Sequence, residues 1–311
     1  MTRTALLVMA YGTPSGPDQV EAYYTHIRRG RPPTPELLED LRRRYEAIGQ
    51  SPLLQITLDQ VQALHQAVAA AGHEDIPVAL GMKHASPFIE DAVAELAGAG
   101  AQEIIGVVLA PHYSRMSVGE YTSRAEAAAA SAPGAPHVSV VRTWHLAPGY
   151  LEFLASALRD ALGEIDEDVR PGAHVLFTAH SLPKRILADG DPYPTELRET
   201  AEAVAAKLGL ERWSVAWQSA GRTAEPWIGP DVLEVIDELA EAGTPAVVVC
   251  SAGFVTDHLE VLYDLDIEAR ARAAERGIAF ARTASPNGDP LVMGALADVV
   301  LEQMAASETP A

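Results

Sequence analysis

The sequence predicts an α/β protein made of two like halves, each a four-stranded parallel sheet flanked by helices. Three observations predict it. Short β-rich runs that end in Gly, Ser or Pro alternate with longer Ala/Leu/Glu segments of helical period. Those short runs are apolar nearly throughout, as strands covered on both faces must be. The eight runs fall into four and four, and the residues that follow equivalent runs echo one another.

In order, the expected strands are 5–10, 78–82, 104–109 and 138–142 in the first half, then 174–178, 214–217, 246–250 and 278–281 in the second. Helical period marks 35–47, 58–71, 88–97, 120–131, 150–162, 194–208, 230–242 and 290–305. The echo runs LVMAYGTP (7–14) with LFTAHSLP (176–183), KHASPFI (83–89) with TAEPWI (223–228), and APHYS (110–114) with AGFVT (252–256). The loosest segments, AASAPGAP (129–136) and 167–172, place the crossover near 135–172. The expected domains are therefore 1–140, joined by the C-terminal helix 290–305, and 141–289.

The chain has 311 residues, 48% of them hydrophobic, enough for two ordinary cores. With 43 Asp and Glu against 23 Lys and Arg, a net charge of −20 argues against nucleic acid or an anionic membrane surface as partner. The N-terminal apolar run stops at Tyr11-Gly12-Thr13-Pro14, too short for a signal-peptide core, and no run approaches about 18 apolar residues. A single cysteine, Cys250, excludes an internal disulfide and an iron–sulfur cluster held by four cysteines of one chain. These features predict a cytoplasmic protein without membrane insertion, and a monomer in the absence of a conspicuous exposed apolar helix.

In open parallel sheets, ligands bind beyond the carboxyl ends of the strands. That rule gathers Tyr11, His84, His112, His180, Gln218 and the 253–260 loop around one expected cleft between the halves. The tripeptide Ala179-His180-Ser181 is not a serine-hydrolase signature. Neighbouring side chains of a strand face opposite ways, and no Gly-x-Ser-x-Gly elbow is present. A histidine suits proton transfer or metal binding better, and with Glu260 it would make an open metal site.

Glu260, Asp264 and Glu268 recur every four residues, one carboxylate stripe if the segment is helical, with no Lys or Arg among them. A path for cations or protons is one reading; a solvated acidic face is the other. Against the overall charge stands a basic island, Arg28, Arg29, Arg31, Arg42, Arg43 and Arg44, interleaved with Tyr23, Tyr24 and Tyr45. It reads as a dock for a polyanionic, partly aromatic small molecule, or as an ordinary charged helix with acid–base pairs.

Taken together, LLVMAYGTP (6–14), YYTHIRRGR (23–31), RYEAIGQSPL (44–53), GMKHASPFIEDAVAE (81–95), VLAPHYSRMSVGEY (108–121), TAHSLP (178–183), DPYPTEL (191–197), WQSAGRTAEPWIGPDV (217–232) and GFVTDHLEVLYDLDIE (253–268) resemble the ferrochelatases, most of all the bacterial coproporphyrin ferrochelatases. The resemblance spans the whole chain. It implies two similar Rossmann-like, chelatase-type domains with a porphyrin cleft between them, and insertion of Fe2+ into the ring with release of two protons. It implies no tightly bound cofactor, since Fe2+ is a substrate. By position, His180 and Glu260 correspond to the catalytic metal and proton pair, and Tyr11 to the residue facing the product iron. Arg28, Arg44, Tyr45, Ser51 and Tyr121 correspond to positions that hold the porphyrin and its propionates. Asp264 and Glu268 correspond to an outer metal or proton route.

Ser251-Ala252, Ala220, Leu265 and Ile267 depart from the commonest family pattern without touching the His180/Glu260 pair. Six arginines and a polar 32–55 segment favour coproporphyrin III over protoporphyrin IX. A cobalt or nickel chelatase of an early tetrapyrrole is the nearest rival reading. A non-catalytic tetrapyrrole-binding protein is the rival of a different class.

Overall fold

The structure, a computed structural model, describes residues 3–308. It separates into two units, one running to Trp144 and resuming at Asn287, the other spanning His145–Pro286. The first holds β1 (Thr4–Ala10), α1 (Val20–Ile27), α2 (Pro35–Ile48), α3 (Leu53–Ala70), β2 (Val78–Met82), α4 (Ile89–Gly98), β3 (Glu103–Val108), α5 (Val118–Ser131) and β4 (His137–Val140). The second holds α6 (Pro148–Gly163), β5 (His174–His180), α7 (Arg185–Ala188), α8 (Tyr193–Leu208), β6 (Trp213–Gln218), α9 (Val232–Glu241), β7 (Ala246–Cys250), α10 (Leu259–Leu262), α11 (Arg270–Glu275) and β8 (Ala279–Arg282). A π-helical turn, Asp264–Ala269, joins α10 to α11, and α12 (Pro290–Glu308) belongs to the first unit.

Each unit is one parallel sheet with the same plan: strand orders are β2-β1-β3-β4 and β6-β5-β7-β8. Apolar strands take this arrangement because helices cover both faces. Leu7 and Met9 of β1 pack with Ile89, Val93 and Leu96 of α4, and every residue of β7 is buried. The registers pair Ala10 with Met82 and His180 with Gln218, so equivalent strand ends lie side by side.

By length and composition alone, Pro290–Ser307 is apolar enough to cross a membrane, although its apolar residues form no unbroken run. Its Val292, Leu296 and Val300 are nevertheless fully buried, each contributing about 1.5–3 kcal/mol of burial. The helix packs on α3, and Gln60 Nε2 donates to the Asn287 carbonyl at 2.9 Å where the chain re-enters the unit. It is a core helix. Outside the cores, α2 has no buried residue; Thr34 opens it by accepting the Leu37 N–H at 3.4 Å.

Candidate active site

In the second unit, β5 ends in His180 and the β7–α10 loop is pressed against that end by Gly253. A Cβ at Gly253 would lie 2.3 Å from Ala179 Cβ and 2.6 Å from Ala179 Cα. Its N–H donates to the Thr178 carbonyl at 2.9 Å. Only glycine lets the backbones approach this closely, and the approach carries the following residues to His180. His180 Nε2 then stands 3.5 Å from Glu260 Oε1.

The tautomer of His180 follows from its other nitrogen. Nδ1 lies 2.5 Å from the Ser181 carbonyl, which can only accept, so Nδ1 carries the proton and Nε2 faces the carboxylate. Burial disfavours the charged imidazole, but Glu260, the Ser181 carbonyl and Asp264 outweigh it and push the pKa up to about 9. Near neutrality His180 is therefore an imidazolium facing Glu260. Tyr193 Oη donates to the His180 carbonyl at 3.1 Å and so holds the strand end.

His258 lies within the 253–260 loop expected at the cleft but is not singled out there by sequence. Its Nδ1 accepts the Val261 N–H at 3.3 Å and so caps α10. The proton is therefore on Nε2, 4.0 Å from Glu260 Oε2. Burial holds this imidazole below its usual pKa despite the nearby carboxylate. Glu260 thus has one histidine at each oxygen. A histidine two residues before an acid, at a helix start, was the available signal.

The acidic stripe is only partly a stripe. Glu268 N–H donates to the Tyr263 carbonyl at 3.0 Å, an i→i−5 bond that widens the turn. Asp264 is 7% exposed and accepts from Ser219 Oγ at 2.5 Å, so it is no solvated face; Glu268 is half-buried. The neighbouring acids Asp257 and Asp266 are paired from far along the chain. Arg282 of β8 bonds both oxygens of Asp266 at 2.8 Å and approaches Asp257 at 3.4 Å. Among the described residues, no three His, Cys, Asp or Glu side chains converge as a ready metal-binding group.

In the first unit, Tyr11 follows β1 and is 43% exposed, its ring 4.7 Å from that of His84. The β1–β2 pairing places them together, since His84 N–H donates to the Tyr11 carbonyl at 2.9 Å. His84 Nδ1 is 2.9 Å from Nδ1 of His26 in α1, a residue not singled out from sequence. Burial and the charges of Lys83, His26 and Arg124 depress the His84 pKa to about 3. Tyr45 Oη lies 3.5 Å from Thr13 Oγ1, and Tyr23 Oη donates to the Gly12 carbonyl at 3.0 Å. Ser51 Oγ accepts the Leu53 N–H at 3.4 Å, opening α3. Tyr121 is buried, and burial holds its hydroxyl well above the usual tyrosine range.

The basic island is less free than its sequence suggests. Arg43 and Arg44 bond Asp40 at 2.6 and 3.1 Å, Arg42 lies 3.6 Å from Glu21, and Arg29 lies 3.2 Å from Glu120. Glu120 also pairs with Lys83, which lies over the Tyr121 ring. Arg28 donates through Nε to the Arg31 carbonyl at 3.3 Å and sits against the Tyr24 ring. The island is a charged surface with internal ion pairs, from which Arg28 and Arg31 project cationic groups not paired with a carboxylate among the described residues. Cys250 is wholly buried in β7, and burial pushes its thiol up to about 12.

A family model described as Ferrochelatase matches residues 3–304. Proteins named coproporphyrin III ferrochelatase are similar over nearly full length. That of Geobacillus kaustophilus (strain HTA426) is 46% identical over 303 residues, covering 96% of each chain. That of Bacillus subtilis (strain 168) is 43% identical over 305 residues, covering 97% of this chain and 98% of the other. Among solved structures, SirB from Bacillus subtilis with Fe3+ shares the fold at a TM-score of 0.61 and 16% identity, covering 99% of this chain and 98% of that one. Sirohydrochlorin chelatase SirB from Bacillus subtilis subspecies spizizenii in complex with cobalt gives 0.57 and 14%, covering 99% and 97%. A match over almost every described residue, with relatives well above 30% identical, settles the kinship: this chain belongs to the ferrochelatase family.

Proposed function

We propose that the protein inserts Fe2+ into coproporphyrin III, giving Fe-coproporphyrin and two protons in haem biosynthesis. The observation that carries this reading is the approach of His180 Nε2 to Glu260 Oε1 at 3.5 Å, in a chain similar throughout to coproporphyrin III ferrochelatases. The ring's N–H groups block its centre, so insertion needs a base near the nitrogens and a loosely held cation. His180 and Glu260 supply both. Approach of a dication opposes the positive charge of His180, so its Nε2 proton leaves by way of Glu260 and Asp264. The freed Nε2 then takes a pyrrole proton, and Glu260 steers the iron or passes the second proton.

Binding energy from remote contacts favours a buckled ring over a flat one, which raises the rate only if realised near the transition state. In this reading Arg28, Arg44, Tyr45, Ser51 and Tyr121 hold the ring and its propionates, and Tyr11 faces the product iron. Asp264 and Glu268 form the outer route. Coproporphyrin carries four propionates and protoporphyrin two. The cationic groups of Arg28 and Arg31 favour the more highly charged ring. The protein works as a monomer in the cytoplasm, on small-molecule substrates alone and with no tightly bound cofactor.

The test is a spectrophotometric assay with Fe2+ and either porphyrin, run on wild type and His180→Ala. Expected are multiple turnovers with preference for coproporphyrin III, and a loss of about 10²–10⁴-fold in the variant with ring binding retained. A preference for protoporphyrin overturns the substrate assignment. A single stoichiometric complex, without turnover, overturns the enzyme.

A further inference from the structure

We infer that Ser219 is a positioning residue for metal insertion, holding Asp264 in place behind Glu260; this rests on the function proposed above. The β6 strand ends in Gln218, and the chain turns sharply there. Ser219 adopts φ +60°, a left-handed backbone that non-glycine residues rarely take. Such conformations persist where the surroundings over-determine them, and they cluster at functional sites. Here the reason is visible in the contacts. In that conformation Ser219 Oγ donates to Asp264 Oδ2 at 2.5 Å, while Gln218 Nε2 donates to the Glu260 carbonyl at 2.9 Å.

One turn therefore fixes two members of the acidic line, the backbone of one and the carboxylate of the other. It does so next to the reacting pair, because Gln218 is in register with His180 and the Ser181 N–H donates to the Gln218 carbonyl at 2.8 Å. Gln218 is 1% exposed, so its amide is locked by packing as well as by the bond. The other end of the turn is equally constrained. A Cβ on Gly221 would lie 2.3 Å from the Trp227 ring, whose centroid is 6.3 Å from that of His180.

Asp264 opens the π-helical turn, where the helix widens. With the Ser219 hydroxyl removed, the carboxylate has fewer bonds to fix its rotamer. Glu260 then hands its proton, or receives its cation, from a less ordered partner. The ring-binding residues lie elsewhere in the sequence and are untouched.

Ser219→Gly and Ser219→Asn separate this role from backbone strain. Glycine relieves the left-handed conformation but donates nothing; asparagine tolerates the conformation and restores a donor. Wild type and both variants are assayed for turnover with Fe2+ and coproporphyrin III, coproporphyrin affinity by fluorescence quenching, and thermal midpoint. Expected is a kcat about ten- to hundredfold lower in Ser219→Gly at unchanged ring affinity and midpoint, with substantial recovery in Ser219→Asn. Unchanged turnover in Ser219→Gly overturns the inference, as does an equal loss of turnover and ring affinity, or no recovery with asparagine. Absence of turnover in the wild type instead overturns the function proposed for the whole chain.

Discussion

His180 Nε2 lies 3.5 Å from Glu260 Oε1, and that approach sets the charge of the imidazole. Burial alone would lower the pKa of this histidine; the carboxylate reverses the sign and carries it to about 9. Near neutrality the imidazole is therefore held in its protonated form.

Replacing Glu260 with Gln leaves the burial of His180 unbalanced. Its pKa should fall from about 9 to below the ordinary 6.5, read by NMR of the imidazole. The stability change has a definite sign. A folded pKa above 6.5 contributes stabilisation fully present below 6.5 and lost as pH rises through about 9. The stability difference between wild type and Glu260→Gln should therefore shrink across that interval in denaturant unfolding. A His180 pKa that stays near 9 in the variant would show that other groups charge it.

His258 has two separable jobs, capping α10 through Nδ1 and facing Glu260 with Nε2–H. His258→Ala should lose both, with about 0.5–2 kcal/mol of stability from the cap and a drop in turnover. His258→Asn offers an acceptor to the helix start but no donor at the Nε2 position. Unfolding should then approach wild type while turnover stays low. Recovery of both together would mean the histidine acts only as a cap.

The strands were legible because buried parallel strands need near-continuous apolar runs; β2 and β7 have the expected bounds, 78–82 and 246–250. β5 and β6 run on to His180 and Gln218, since ladder pairing continues through polar residues that hydropathy excludes. Helix α1 escaped notice: VEAYYTHI mixes β-branched and aromatic residues of modest helix propensity. It is held instead by contacts such as Tyr23 Oη with the Gly12 carbonyl. Residue type could nominate Glu260 and Asp264, but not the left-handed Ser219 that bonds Asp264, nor the remote Arg282 that pairs with the neighbouring Asp257 and Asp266. Those depend on which loops the sheet brings together, a property of topology and not of local sequence.

Gly253 should tolerate no side chain. Gly253→Ala places a methyl 2.3 Å from Ala179 Cβ and 2.6 Å from its Cα, so backbone must move. A cost of about 1–3 kcal/mol is expected from overpacking. The shift also widens the His180–Glu260 gap, so turnover should fall further than stability does. Unfolding and turnover measured on the same preparation separate the effects; an alanine variant with wild-type activity would show that the loop has slack.

Arg282 anchors the acidic segment through Asp266 and Asp257. Its guanidinium is largely buried, bonds Asp266 through two nitrogens at 2.8 Å, and reaches Asp257, which also accepts from Ser285 Oγ at 2.9 Å. Arg282→Met keeps the apolar length but strands two partly buried carboxylates, at about 1.5–3 kcal/mol for the lost charged hydrogen bonds. Adding Asp266→Asn removes one stranded charge, so the double variant should be more stable than Arg282→Met alone, a coupling readable in a double-mutant cycle. Turnover should fall in Arg282→Met because Asp257 and Asp266 bracket Glu260 and Asp264 in sequence. Equal stabilities for the single and double variants would mean that Asp266 is satisfied by Arg270, 3.9 Å away, without help from β8.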